Sequence, residues 1–167
     1  GPQAYLIENA AGVLADNPTV QMWIFLSFFI AFAVKAPMVP VHTWLADAAE
    51  QAPPAVSVLI VGVLDKVGTF GMLVLCLPLF PEASKWAAPV IAVLAIISII
   101  YGALAALAQR DLRRLIAFTS VSHFGFIVLG IFVMTSAGQA GSVLYMVNHG
   151  FSTAGLFLVC GMLMSRW

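Results

Sequence analysis

Val34-Lys35-Ala36-Pro37-Met38-Val39-Pro40-Val41-His42-Thr43-Trp44 interrupts a run of membrane-grade apolar residues with a lysine, two prolines and a histidine. A lipid-facing helix does not carry such a stretch. Lysine at bilayer depth costs about 2.5–3.5 kcal/mol on insertion scales, so a lysine there faces protein or a water-filled cavity and serves ion or proton traffic. Pro37 and Pro40 each remove a backbone donor and crowd the preceding turn, so the helix breaks or kinks between them. Non-helical backbone at that depth is tolerated only where it is buried in protein or lines a cavity. The alternative from the sequence is that Lys35 ends a short span and snorkels to the headgroups.

Composition settles the class. The 167 residues are 62% hydrophobic and only 8% charged, with a mean hydropathy of +1.05; a soluble domain carries about 25% charged residues. The chain is therefore an all-α, polytopic membrane protein seated in a lipid bilayer. Its net charge is zero and no basic block occurs, which excludes nucleic acid as a partner. Cys76 and Cys160 stand alone in apolar runs without the spacing of a zinc site or a redox pair, and read as small buried hydrophobes. Residues 1–18 form a polar lead-in loop: Glu8 and Asp16 are present and there is no basic n-region, so no signal peptide is expected and the chain reads as beginning mid-protein.

About five spans follow, the first one broken. After Asp16-Asn17-Pro18, with Thr19 as cap, apolar sequence runs to Val34. That is about 15 residues, roughly 23 Å, short of the roughly 30 Å hydrocarbon core. A second half-helix over 41–50 completes the crossing, giving a broken helix 19–50. Half-helices meeting in mid-membrane are a transporter feature, because their free ends can hold charge. Pro53-Pro54 opens a second helix, 54–77, ended by Pro78 and Pro81, and a connecting loop spans 78–86. Further helices are expected at 87–108, 115–134 and 138–164. The basic loop Gln109-Arg110-Asp111-Leu112-Arg113-Arg114 belongs on the cytoplasmic side. Counting spans from it puts the 51–53 bend and Arg166 on that side and the 78–86 loop opposite.

Lys66 lies about 12 residues, roughly 18 Å, into its helix, too deep to snorkel. His123 and His149 fall at comparable depths on the last two helices. Lys35, Lys66, His123 and His149 thus form a lateral polar track across four helices. Neutral imidazole both donates and accepts a proton, and burial or a nearby cation allows a lysine to switch between charged and neutral. Ser122, Asn148 and Ser152 can order linking waters. His42, at the break, and Asp65, beside Lys66, are further polar groups; consecutive helical residues do not face each other, so Asp65 either tunes the lysine or serves packing. Each histidine alone reads equally well as a satisfied helix contact. Three histidines also admit a b-type haem between helices as a remote alternative. That reading leaves the lysines unexplained.

The segment Lys35-Ala-Pro-Met-Val-Pro-Val-His42-Thr-Trp-Leu-Ala-Asp47-Ala-Ala-Glu50-Gln-Ala-Pro-Pro54 resembles the antiporter-like proton-pumping subunits of respiratory complex I. Two further signatures resemble the same family: Asp111-Leu-Arg-Arg-Leu-Ile-Ala-Phe-Thr-Ser-Val-Ser-His123-Phe-Gly and Asn148-His149-Gly-Phe-Ser-Thr-Ala-Gly155. The resemblance covers nearly everything after residue 18 and implies a fragment, the seventh to eleventh helices of an inverted-repeat fold, with the seam at 78–86. Residues 19–77 would then end the first repeat and 87–167 begin the second. Lys35 matches the broken-helix lysine, whose glutamate partner on the fifth helix is absent here; Lys66 matches the central lysine, and His123 and His149 match relay positions. Asp65 departs from the usual apolar neighbour.

The resemblance further implies proton translocation by a non-redox subunit of a translocating oxidoreductase. The chain itself would hold no cofactor, no metal and no catalytic residue; FMN, iron–sulfur clusters and quinone would sit in partner subunits. Its partners would be other membrane-arm subunits, especially the flanking antiporter-like ones. A bacterial plasma membrane is favoured over the mitochondrial inner membrane. Cation/proton antiporters and membrane-bound hydrogenases carry the same fold and are the alternative.

Overall fold

The computed structural model describes residues 2–10, 13 and 16–166. Within the lead-in, a 3-10 turn covers Pro2–Tyr5 and a helical turn Ile7–Ala10, so this segment is not wholly loop; residues 1, 11, 12, 14 and 15 of it lie outside the described residues. Helix α1, Pro18–Lys35, opens on Pro18 itself rather than on a Thr19 cap, with Asn17 making no side-chain cap bond. Proline suits that place because the missing N–H has no helical partner there in any case.

The chain leaves α1 at Lys35 and re-enters a helix at α2, Thr43–Gln51. The first part of the intervening backbone is covered by protein: Ala36, Pro37 and Met38 are buried, whereas Pro40 is exposed. Several of its N–H groups find acceptors, although both ring nitrogens of the buried His42 have no partner among the described residues. Val39 donates its N–H to Ser98 Oγ at 2.9 Å, and Trp44 Nε1 donates to the Val34 carbonyl at 2.8 Å. Met38 N–H reaches the Ala33 carbonyl, and Val41 N–H the Met38 carbonyl. With no lipid-side water to substitute, these bonds are what make a mid-membrane break tolerable.

Helix α3, Pro54–Leu79, is one span built from α-helical turns interrupted by two π turns, Ile60–Leu64 and Met72–Cys76. It runs through Pro78, which was expected to end it. The π turn just before Pro78 widens the hydrogen-bond ladder, so the missing proline N–H costs less there. Helix α4 then begins at once, Pro81–Leu107. The expected connecting loop over 78–86 is reduced to a corner at Phe80, because Pro81 and Glu82 in the first turn favour a helix N-terminus. Helix α5 is Leu112–Phe132, capped by Asp111, whose side chain accepts from the N–H groups of Arg113 and Arg114. Helix α6 is Ser136–Met164, capped by Thr135.

α5 is the central pillar. Some 67% of its span is buried, against 22–33% in the others, so the remaining helices present broad faces to lipid or to further protein. α4 lies close along α5: a methyl on Gly125 would fall 2.7 Å from the Ala95 carbonyl oxygen. Ser122 and Ser142 stitch neighbours together by donating to the Ile99 and Ile127 carbonyls, each at 2.9 Å. One apolar cluster centres on Phe25, Phe29, Phe124, Ile127 and Phe132, a second on Leu45, Val61, Ile116, Phe118 and Phe157. Arg114 Nη1 bonds both Asp47 and Glu50 at 2.7 Å, and Arg113 reaches the Ala52 carbonyl. The basic loop and the 51–53 bend therefore share one end of the bundle, as the span count requires.

Candidate functional site

The π turn over Ile60–Leu64 prepares the lysine that follows it. Asp65 N–H bonds five residues back to the Ile60 carbonyl instead of four back to Val61. The Val61 carbonyl is thereby released from its ordinary partner, and Lys66 Nζ donates to it at 2.6 Å. Nζ also lies 2.7 Å from His149 Nδ1 on α6 and 5.1 Å from the centroid of the Phe124 ring. A half-buried ammonium thus has a carbonyl, an imidazole and an aromatic face around it, the set that stabilises a cation away from water.

His149 is buried, and its other nitrogen, Nε2, is 3.2 Å from Ser120 Oγ. Ser120 in turn donates to the Ile116 carbonyl at 3.1 Å. With Lys66 as donor, only one orientation avoids two donors facing each other: His149 Nδ1 accepts, Nε2–H donates to Ser120, and Ser120 donates onward. Lys66, His149 and Ser120 form one directed chain of hydrogen bonds linking α3, α6 and α5. Both imidazole nitrogens are engaged in this chain of hydrogen bonds.

His123 stands next, its ring centroid 5.3 Å from that of His149. Its Nδ1 bonds Tyr145 Oη. His123, Tyr145, Asn148, His149 and Ser152 line a groove of about 270 Å³, room for several waters at about 30 Å³ each. Lys66 also borders a larger lateral groove of about 640 Å³ between α3 and α6, otherwise lined by apolar groups such as Val63, Phe70 and Phe151.

The other sequence-derived residues are placed differently. Lys35 is exposed in the last turn of α1, where the helix end favours a cation, and it makes no hydrogen bond or ion pair among the described residues. Pro37 and Pro40 shape the break. His42 is buried beside Tyr101 on α4 and Phe118 on α5, 4.9 Å and 6.5 Å between ring centroids. Asp65 is fully buried and within the electrostatic field of both Lys66 and Lys35. Ser122 spends its hydroxyl on α4 and Ser152 on the His149 carbonyl, whereas Asn148 is exposed at the groove.

Sequence reasoning did not single out Tyr145, Ser98, Trp44 or the part played by Phe124. Tyr145 had a signal: it lies four residues before His149 and so on the same helix face. Ser98 had none, since its partner is the backbone of a residue 59 positions away.

Residues 5–166 match the family described as NADH:quinone oxidoreductase/Mrp antiporter, TM. NADH-quinone oxidoreductase subunit M of Mycobacterium tuberculosis is 57% identical over 157 residues, covering 94% of this chain and 28% of that protein. The chain therefore spans under a third of that relative's length. Among solved structures, respiratory complex I from Thermus thermophilus with bound NADH matches with a TM-score of 0.82 at 36% identity, over 87% of this chain and 31% of that one. The Mrp complex from Dietzia sp. DQ12-45-1b matches with a TM-score of 0.85 at 28% identity, over 93% and 29%. Helices, signatures and relatives agree: the chain belongs to the antiporter-like membrane-subunit family of NADH:quinone oxidoreductases and Mrp antiporters, and within it is similar to subunit M.

Proposed function

We propose that this chain is a proton-translocating segment of the membrane arm of an NADH–quinone oxidoreductase, driven by quinone reduction elsewhere in that complex. The observation that carries this is the 2.7 Å bond between Lys66 Nζ and His149 Nδ1 at mid-span. A proton leaving the Lys66 ammonium passes to Nδ1, and the imidazole releases its Nε2 proton toward Ser120 or to water in the adjoining groove. His123, across that groove, receives it next, and Tyr145 holds the His123 ring. Lys35 modulates: a change in its partner's charge alters the field around Asp65 and Lys66. Asn148 and Ser152 order groove water.

The chain's own residues carry protons and no electrons. FMN, iron–sulfur clusters and quinone belong to other subunits in this reading, and the chain's neighbours are other membrane-arm subunits, flanking antiporter-like ones foremost, in a bacterial plasma membrane. Likeness to the Mrp complex favours one second reading, a cation/proton antiporter subunit. Copurification separates the two, since flavin and iron–sulfur subunits accompany an oxidoreductase member. Lys66→Ala in the full complex tests the proposal: proton pumping should collapse while NADH oxidation by artificial acceptors persists. Unchanged pumping would falsify it.

A further inference from the structure

Asp65 has no ordinary structural occupation. It is 0% exposed, yet neither carboxylate oxygen has a hydrogen-bond partner among the described residues. An ionised carboxylate so placed costs several kcal/mol unless a cation or water compensates it, and a leucine would fill comparable space without that cost. The helix geometry says where it faces. Gly68, three residues on and on the same side of α3, packs directly on Phe32 and Ala36 at the C-terminal end of α1. Asp65 therefore looks toward the end of α1 that carries Lys35, while Lys66, about 100° further round the helix, points to His149 on α6. The titratable groups acting on Asp65 are Lys66, from its own helix, and Lys35, from α1.

We propose that Asp65 is a proton-accepting counter-charge shared by the two lysines, a second proton-carrying residue beside Lys66. This rests on the proton-translocating reading above. In the step concerned, an N–H bond of the Lys66 ammonium breaks and an O–H bond forms on the Asp65 carboxylate through water admitted between them, because Lys66 Nζ is held by the Val61 carbonyl and His149 and neither Asp65 oxygen has a hydrogen-bond partner among the described residues. Ammonium and carboxylate become amine and carboxylic acid, with net charge unchanged. The amine then accepts an incoming proton while Asp65 remains protonated. That pair carries one positive charge in excess of the ion pair, which drives the proton on Lys66 toward His149; the Asp65 proton then returns to the amine, its O–H bond breaking as the N–H bond forms, and the ion pair is restored. Lys35 sets the balance: moving toward Asp65 it favours the carboxylate, and moving away it favours the acid.

The test uses the assembled complex reconstituted in vesicles, carrying Asp65→Asn, Asp65→Glu or Lys66→Ala. Proton translocation per NADH, its pH profile and the turnover-linked infrared band of protonated carboxyls are read. Asp65→Asn, close in shape, should slow translocation several-fold, change the pH profile and remove a carboxyl band; Asp65→Glu should restore translocation with that band displaced. Wild-type pumping and pH profile in Asp65→Asn, beside a collapse in Lys66→Ala, overturn this inference alone. Undiminished pumping in Lys66→Ala overturns the function reading beneath it. Should Asp65→Asn fail to assemble, Asp65→Glu decides: a displaced band supports the proposal, and a spectrum identical to wild type overturns it.

Discussion

Ser98→Ala should loosen the helix break without touching any ionisable group. Ser98 is fully buried on α4, and its Oγ accepts the Val39 N–H at 2.9 Å. Removing the hydroxyl orphans a backbone donor inside the membrane, at a cost of about 1–3 kcal/mol. Local opening should then become about 5- to 150-fold more frequent, at tenfold per 1.4 kcal/mol. Ser84→Ala is the matched control. Its hydroxyl donates to the Cys76 carbonyl at 2.9 Å, but that oxygen also receives the Phe80 N–H. The control leaves no orphan and should cost about 1 kcal/mol or less. Hydrogen–deuterium exchange of the full-length subunit in its complex reads both, in peptides covering 36–42 and 76–84. Faster exchange confined to the first peptide of Ser98→Ala supports the account. Equal, small effects in the two variants would mean that the break is held by packing alone.

Three further outcomes follow from the packing and the ion pairs. Gly68→Val should prevent assembly or cost at least about 1–3 kcal/mol, because a β-carbon there meets the Phe32 carbonyl oxygen at 2.5 Å, whereas Gly62→Ala meets nothing closer than 3.6 Å and should assemble normally; complex yield on native gels distinguishes them. Arg114→Ala should lower stability by about 0.5–1 kcal/mol, the range for partly exposed pairs, and lose part of that effect in high salt. Glu50→Gln should cost more than Asp47→Asn, since their side chains are 35% and 71% exposed; thermal unfolding midpoints check the order.

Much of this arrangement was legible because the signals were local. Hydropathy located the spans, prolines the break, and depth along each helix brought Lys66, His123 and His149 to one level. The corner at Phe80 was not legible: Pro78 and Pro81 punctuate sequence strongly, but a π turn absorbs the first and the second starts a helix. Depth alone also could not distinguish which groups at one level touch. Lys66 and His149 do, because a π turn frees a carbonyl to hold the lysine there. His42 carries equal chemical promise in the sequence, yet the turn after Pro40 packs it against Tyr101. Ser120 rather than Ser122 meets His149, a choice made by helical phase between α5 and α6.

The central claim is that Lys66 carries the proton this chain moves. Its most direct test is the proton-to-electron ratio of the reconstituted full complex bearing Lys66→Met, with Lys85→Met as the control, an exposed lysine in the opening turns of α4. The account predicts a collapsed ratio in the first, a wild-type ratio in the second, and equal NADH oxidation by artificial acceptors in both. A wild-type ratio in Lys66→Met would contradict it.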